Sequence, residues 1–237
     1  MTDHARTCWA VVPAAGVGSR MGAATPKQYL EVEGKTILEH SISALLGSKR
    51  IAKVIVALAP RDERAGKLAV LQDDRVDSVE GGEQRSDSVL SALESLRLRG
   101  DLEDWVLVHD AARPCLDESD LNRLIETVMA SDIGGILAER MADTVKMATD
   151  GNRVLRTLDR NRLWRAQTPQ MFRLGPLLAA LQSARKEGVA ITDEASAMEL
   201  AGHPVQLVEG SPGNMKVTLP AHLALISGYL RTGGGIQ

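Results

Sequence analysis

The chain has 237 residues, 44% apolar and 25% charged, with a net charge of −3, an ordinary globular composition with volume enough for a substantial core. That balance lacks the basic footprint of a nucleic-acid binder, and three Trp, two Tyr and one Phe are too few for a base-stacking platform. Two distant cysteines, Cys8 and Cys115, give no disulfide framework, and His4, His40, His109, His203 and His222 show neither HExxH nor HxH spacing, which argues against structural zinc.

The start, MTDHARTCWAVV, lacks a basic stretch followed by a full apolar one, and no run approaches membrane-spanning length. A cytoplasmic protein without membrane contact is expected. "CWAVVPA" reads as a buried strand running into a glycine loop. Thr36 and Glu39 in "TILE" form a capping box, and Leu38, Ile42, Leu45 and Leu46 mark one helical face. "KVIVALA" at 53–59 is a continuous apolar run, suited to a strand buried on both sides. "RVDSVEGG" predicts a shorter strand, and "SDSVLSALESL" a helix with Val89, Leu93 and Leu96 on one side. "WVLVHDAARP" at 105–114 repeats the strand-to-loop pattern before a helix through Leu121, Leu124, Ile125 and Val128.

This alternation predicts an α/β fold with an open, mostly parallel, doubly wound sheet, helices on both faces and right-handed crossovers. No repeat, low-complexity tract or Pro/Ser-rich linker divides the chain, so one domain over 1–237 is expected. One segment breaks the rhythm. "DTVKMATDGNRVLRTLDR" at 143–160 places two β-like runs around Asp150-Gly151, a hairpin signal. Two isolated strands are marginal in water, so the hairpin must pack on something. A second subunit and the edge of its own sheet are both open.

The stretch "VVPAAGVGSRMGAATPKQYL" at 11–30 carries the chemistry. A glycine loop after a first strand lets backbone N–H groups approach phosphate. The dinucleotide fingerprint GxGxxG fails because Met21 stands where glycine is required, and the Walker loop fails because Lys27 lies between Pro26 and Gln28. A bare turn explains Gly16 and Gly18 but not Arg20 and Lys27 arriving with them. The pattern A-A-G-x-G-x-R-M…P-K resembles nucleotidyltransferases, which move the NMP part of a nucleoside triphosphate to a phosphorylated acceptor.

"PKQYL", "TILEHS", "GGEQRSDSV", "VLVHDAARP", "DRNRLWRAQTPQMF", "TDEASAMEL" and "NMKVT" follow in order. With the opening loop they resemble the 2-C-methyl-D-erythritol 4-phosphate cytidylyltransferase family over nearly the whole chain. One departure is Glu83, where the family pattern has Asp. The resemblance implies a Rossmann-like nucleotidyltransferase fold and transfer of CMP from CTP to 2-C-methyl-D-erythritol 4-phosphate, with Mg²⁺ as cofactor. It also implies a homodimer with a dimerisation arm at about 141–160.

Carried over residue by residue, it puts Ala14, Ala15, Gly16 and Gly18 against the nucleotide, and Gly82 and Ser88 against cytosine and ribose. Arg20 and Lys27 become the transition-state cations. Asp110 falls beside Mg²⁺ and the acceptor, and Arg113, Thr144, Arg160, Thr168 and Lys216 form the acceptor site. Arg160 would reach it from the partner subunit. His109 is assigned no chemical role, because an anionic phosphate needs no base. Simple turn roles for Gly81-Gly82 and Asp110 stay open. So do a ribitol 5-phosphate cytidylyltransferase, a regulatory module that has lost catalysis and, weakest, a dinucleotide-dependent dehydrogenase.

Overall fold

The computed structural model describes residues 8–16 and 25–232. The first strand, β1 (Cys8–Pro13), is followed by two-residue strands β2 (Glu31–Val32) and β3 (Lys35–Thr36), which pair only with each other. Helix α1 (Ile37–Gly47) opens on the expected capping box: Glu39 N donates to Thr36 Oγ1 at 3.2 Å and Thr36 N to Glu39 Oε2 at 2.8 Å. Strands β4 (Ile51–Leu58) and β5 (Val76–Glu80), helix α2 (Arg85–Arg97), strand β6 (Trp105–Val108) and helix α3 (Glu118–Ser131) complete the alternating half.

Beyond it come β7 (Gly135–Arg140), β8 (Val145–Ala148), β9 (Val154–Leu158) and the long β10 (Trp164–Arg173). Helices α4 (Leu174–Glu187) and α5 (Glu194–Leu200), strand β11 (Gln206–Glu209) and helix α6 (Ala221–Arg231) are the last elements among the described residues.

Seven strands form one sheet in the order β11-β7-β10-β6-β1-β4-β5. All pairings are parallel except those of β10, which runs antiparallel to both β6 and β7. Alternate side chains of each strand feed opposite layers. Ala10, Val12, Val54, Val56 and Leu107 pack under α1 and α3. Val11, Ile55, Val106 and Val108 pack under α2, α4 and α5. Two-sided burial explains why β1, β4 and β6 read as apolar runs rather than as alternating patterns.

From β1 the chain winds outward to β4 and β5, then returns to place β6 on the other side of β1. The loops after β1 and β6 therefore leave in opposite senses and open a crevice at the strands' carboxyl ends, where such sheets bind ligands. The hairpin at 143–160 is formed as expected by β8 and β9, but as a separate two-stranded sheet. Neither strand pairs with the main sheet, so the edge-strand alternative is excluded.

Candidate active site

The loop after β1 is held from beneath. Gln28 is buried, and its Nε2 donates to the carbonyls of Ala14 and Gly16, both at 2.9 Å. Pro26, Gln28, Ala15 and Gly16 line a cleft of about 260 Å³ together with the charged run Arg61, Asp62, Glu63 and Arg64. Gly18 and Arg20 lie outside the described residues. Lys27 starts a short 3-10 turn and its Nζ donates to the Val217 carbonyl at 3.2 Å. The first and last motifs of the chain, 190 residues apart, thus meet beside Lys216.

The base-reading candidates sit above β5. Gly82 N donates to Ser88 Oγ at 3.2 Å, and the hydroxyl lies 3.2 Å from the Gln84 carbonyl. A Cβ added at Gly81 would lie 2.6 Å from Ala15 Cβ and 2.9 Å from Ser88 Oγ. Glycine here lets the loop close onto the loop after β1, a packing need that holds whatever either loop binds.

Asp110, two residues past β6, is the centre of the charged site. Arg85 Nε donates to its Oδ1 at 2.8 Å, Lys216 Nζ to Oδ2 at 2.8 Å, and Arg113 Nε stands 3.5 Å from Oδ2. Burial raises the carboxyl's pKa, but Arg85, Lys216 and Arg113 outweigh burial and hold it far below the ordinary carboxylate range. Arg113 is fixed in turn: Nη1 donates to the Asn214 carbonyl at 2.6 Å. Among the described residues its buried Nε makes no closer polar contact than the 3.5 Å ion pair with Asp110 Oδ2.

Thr168 joins the cluster from β10, accepting the Asp110 backbone N–H at 3.0 Å. His109 is fully buried between two groups, with Nε2 3.1 Å from the Arg113 carbonyl and Nδ1 3.1 Å from Thr168 Oγ1. Burial pushes its pKa down to about 4, so the ring is neutral at pH 7. A carbonyl can only accept, which puts the proton on Nε2 and leaves Nδ1 to accept from the Thr168 hydroxyl. Both ring nitrogens are spent on structure, as is the Thr168 proton.

Thr144 and Arg160 are elsewhere. Both are exposed at the base of the hairpin, where the Arg160 guanidinium donates to the Ala142 carbonyl. No hydrogen bond or ion pair among the described residues joins either to the Asp110 cluster.

Four contributors escaped the sequence reading: Arg85, Glu194, Gln28 and Asn214. Glu194 is buried and takes Arg85 Nη1 at 2.7 Å and Nη2 at 3.0 Å. Arg85 opens α2, and a cation at a helix N-terminus opposes the helix dipole unless carboxylates face it. That is the one local signal that points to such partners. Asn214 donates to the Thr168 carbonyl at 2.8 Å, a link that no spacing rule reveals.

Magnesium needs one or two carboxylates besides substrate phosphates and water. The buried, ionised Asp110 meets that need, though Lys216 now shares its Oδ2. No group of three His, Cys, Asp or Glu that could cage a metal occurs among the described residues. The donors fit an ion that comes in on a phosphate, not a resident one.

The model of the 2-C-methyl-D-erythritol 4-phosphate cytidylyltransferase family matches residues 8–232. Proteins of that name from Aeromonas hydrophila and Yersinia pseudotuberculosis are each 52% identical, over 98% and 93% of this chain and 93% and 90% of their own. The Francisella tularensis crystal structure of that name superposes with a TM-score of 0.79 at 36% identity, covering 93% of this chain and 98% of its own. The Thermus thermophilus structure gives 0.78 at 32%, covering 95% and 99%. The chain belongs to the 2-C-methyl-D-erythritol 4-phosphate cytidylyltransferase family.

Proposed function

We propose that this chain transfers CMP from CTP to 2-C-methyl-D-erythritol 4-phosphate, releasing pyrophosphate and forming 4-diphosphocytidyl-2-C-methyl-D-erythritol. The observation that carries the site reading is the meeting of Lys216, Arg85 and Arg113 around one ionised carboxylate at the sheet's switch point, with Lys27 held to the carbonyl of Val217, the residue after Lys216. Two polyanions must approach each other there, and fixed cations in a half-buried crevice lower that barrier.

The acceptor phosphate oxygen attacks the α-phosphorus in line while the bond to the pyrophosphate oxygen breaks. The nucleophile is already anionic, so no side chain need take its proton. That agrees with a His109 that is neutral and hydrogen-bonded at both nitrogens. Ala14, Ala15, Gly16 and Gly18 bear on the nucleotide, and Gly82 and Ser88 on its base and ribose. Arg20 and Lys27 stabilise the charge that moves from the α-phosphoryl group to the leaving oxygen. Arg113 and Lys216 take the acceptor phosphate, with Thr168 fixing the backbone at Asp110. Asp110 would hold a magnesium ion brought in with the triphosphate, which would supply neutralisation of phosphate charge.

We assign the whole chain to one catalytic domain. The hairpin at about 141–160 is its dimerisation arm, carrying Thr144 and Arg160 to the site of a partner subunit. Two exposed apolar residues on β9, Val154 and Leu155, support that reading. The cytoplasm, where nucleoside triphosphates are plentiful, is the proposed compartment.

Pyrophosphate release with each of the four common ribonucleoside triphosphates and two acceptors tests the reading. Strong preference for CTP and the methylerythritol phosphate is expected, because a mismatched base leaves buried polar groups unpaired. Comparable kcat/KM with UTP, or with ribitol 5-phosphate, would sink it.

A further inference from the structure

The cations around Asp110 are not equivalent. Among the described residues Lys216 has Asp110 as its one carboxylate partner, and its side chain is 35% exposed, so it is able to turn toward a ligand. Arg85 is committed inside the protein on three sides. Its Nε holds Asp110 Oδ1, and its two terminal nitrogens hold both oxygens of Glu194, whose side chain is 1% exposed. Burial lowers the pKa of Arg85, but Glu194 and Asp110 outweigh it and keep the guanidinium charged.

We propose that Arg85 and Glu194 are positioning residues for the transfer: Glu194 grips the guanidinium fork, and the fork sets the plane of the Asp110 carboxylate. A carboxylate is loosely held about its last torsion. One donor on Oδ1 from a rigid, planar group removes that freedom. Oδ2 is then presented to Lys216 and Arg113, which orients the two cations assigned to the acceptor phosphate. Arg85 also begins α2 directly after the loop that Ser88 braces. The strut therefore ties the base-reading loop to the acceptor site, with α5 as its foot. This role rests on Asp110 belonging to the transfer site.

The test is steady-state pyrophosphate release by six purified variants: Arg85→Gln, Arg85→Lys, Glu194→Gln, Arg85→Gln/Glu194→Gln, Asp110→Asn and Arg85→Gln/Asp110→Asn. The Arg85/Glu194 double variant guards against misfolding, since removing only one partner strands a buried charge. Each Arg85 or Glu194 variant should lose about 10- to 100-fold in kcat, the usual range for groups that orient a ligand-holding side chain. KM for CTP should stay within about threefold, because ground-state binding is not what the strut controls. Arg85→Lys should fail to rescue, as one ammonium cannot span Asp110 and both oxygens of Glu194.

Added to Asp110→Asn, Arg85→Gln should cost less than about threefold more, since the carboxylate it positions is gone. A kcat within twofold of the parent in the folded double variant overturns the proposal. So does rescue by lysine, or a loss that multiplies with that of Asp110→Asn. If Asp110→Asn itself keeps full kcat, the reading of the whole site falls, and the positioning role with it. Full kcat in Arg85→Gln beside an inactive Asp110→Asn removes the positioning role alone.

Discussion

The Asp110 cluster and the β8–β9 hairpin carry neighbouring parts of one proposed site in opposite ways. Asp110, Arg113, Thr168 and Glu194 are all buried and joined by hydrogen bonds across β6, β10, α2 and α5. The hairpin leaves Val154 and Leu155 at 65% and 60% exposure and, among the described residues, pairs with no other strand. The fold of one chain thus completes the carboxylate-and-cation cluster. It leaves the segment bearing Thr144 and Arg160 with little to rest on. In the proposed dimer, this division separates preorganised electrostatics from parts that a partner subunit would supply.

The largest effects should come from the cluster and the loop beside it. Lys27→Ala and Arg20→Ala should each lower kcat by ~10²–10³-fold, the usual cost of one charge-stabilising contact. Far-ultraviolet circular dichroism should stay native in both. Asp110→Asn should lose turnover comparably and also melt earlier, because Arg85, Arg113 and Lys216 then face an amide in a buried site. Near-normal turnover in the two cation variants would mean that the crevice binds nucleotide without performing the transfer.

Mixed dimers probe the division directly. Lys27 meets the Val217 carbonyl of its own chain, while Arg160 has no partner in the cluster. Exchange of subunits between inactive Lys27→Ala and Arg160→Ala proteins would make about half the dimers mixed, each with one intact site and one lacking both residues. About a quarter of all sites should therefore recover if Arg160 acts across a two-fold interface. Verified exchange without recovery would return Arg160 to its own chain and erase the contrast.

A smaller effect belongs to His109, and it is one of stability. Its pKa is near 4 when folded and about 6.5 in an unfolded chain. Between those values the unfolded state binds the proton and the folded state does not, so stability falls as pH drops through that window. From pH 7 to pH 5 the loss should be about 2 kcal/mol from this group, read as a shift in urea midpoint. His109→Gln should flatten that part of the profile. An unchanged slope would show that the ring is not held neutral.

Much of the frame was legible because burial leaves local marks. The capping box at Thr36 and Glu39, the two-sided apolar runs of β1, β4 and β6, and the Asp150-Gly151 hairpin all appear where periodicity and turn chemistry put them. The reversed β10 has no such mark: strand direction depends on where the chain re-enters the sheet, not on composition. For the candidate site, spacing singled out a glycine loop accompanied by two cations, and family resemblance supplied Asp110, Arg113 and Lys216. Arg85 and Glu194 both lay within recognised stretches, yet a contact 109 residues apart in sequence leaves no periodic trace. Only the misplaced cation at the start of α2 hinted at it.

The smallest effect sharpens the comparison most. Val154→Ser/Leu155→Ser alters two exposed side chains of a strand outside the main sheet. Below the concentration at which the protein associates, unfolding free energy should change by less than about 0.5 kcal/mol, as for surface positions without buried partners. The same substitution should weaken association, visible by sedimentation as a shift toward monomer, since the apolar side chains that a partner would cover are gone. Stability and assembly therefore move independently if the arm belongs to an interface. They move together if the arm is part of its own chain's core. A loss of 2 kcal/mol or so in the isolated monomer would put the hairpin with the buried cluster, and the two regions would no longer be different in kind.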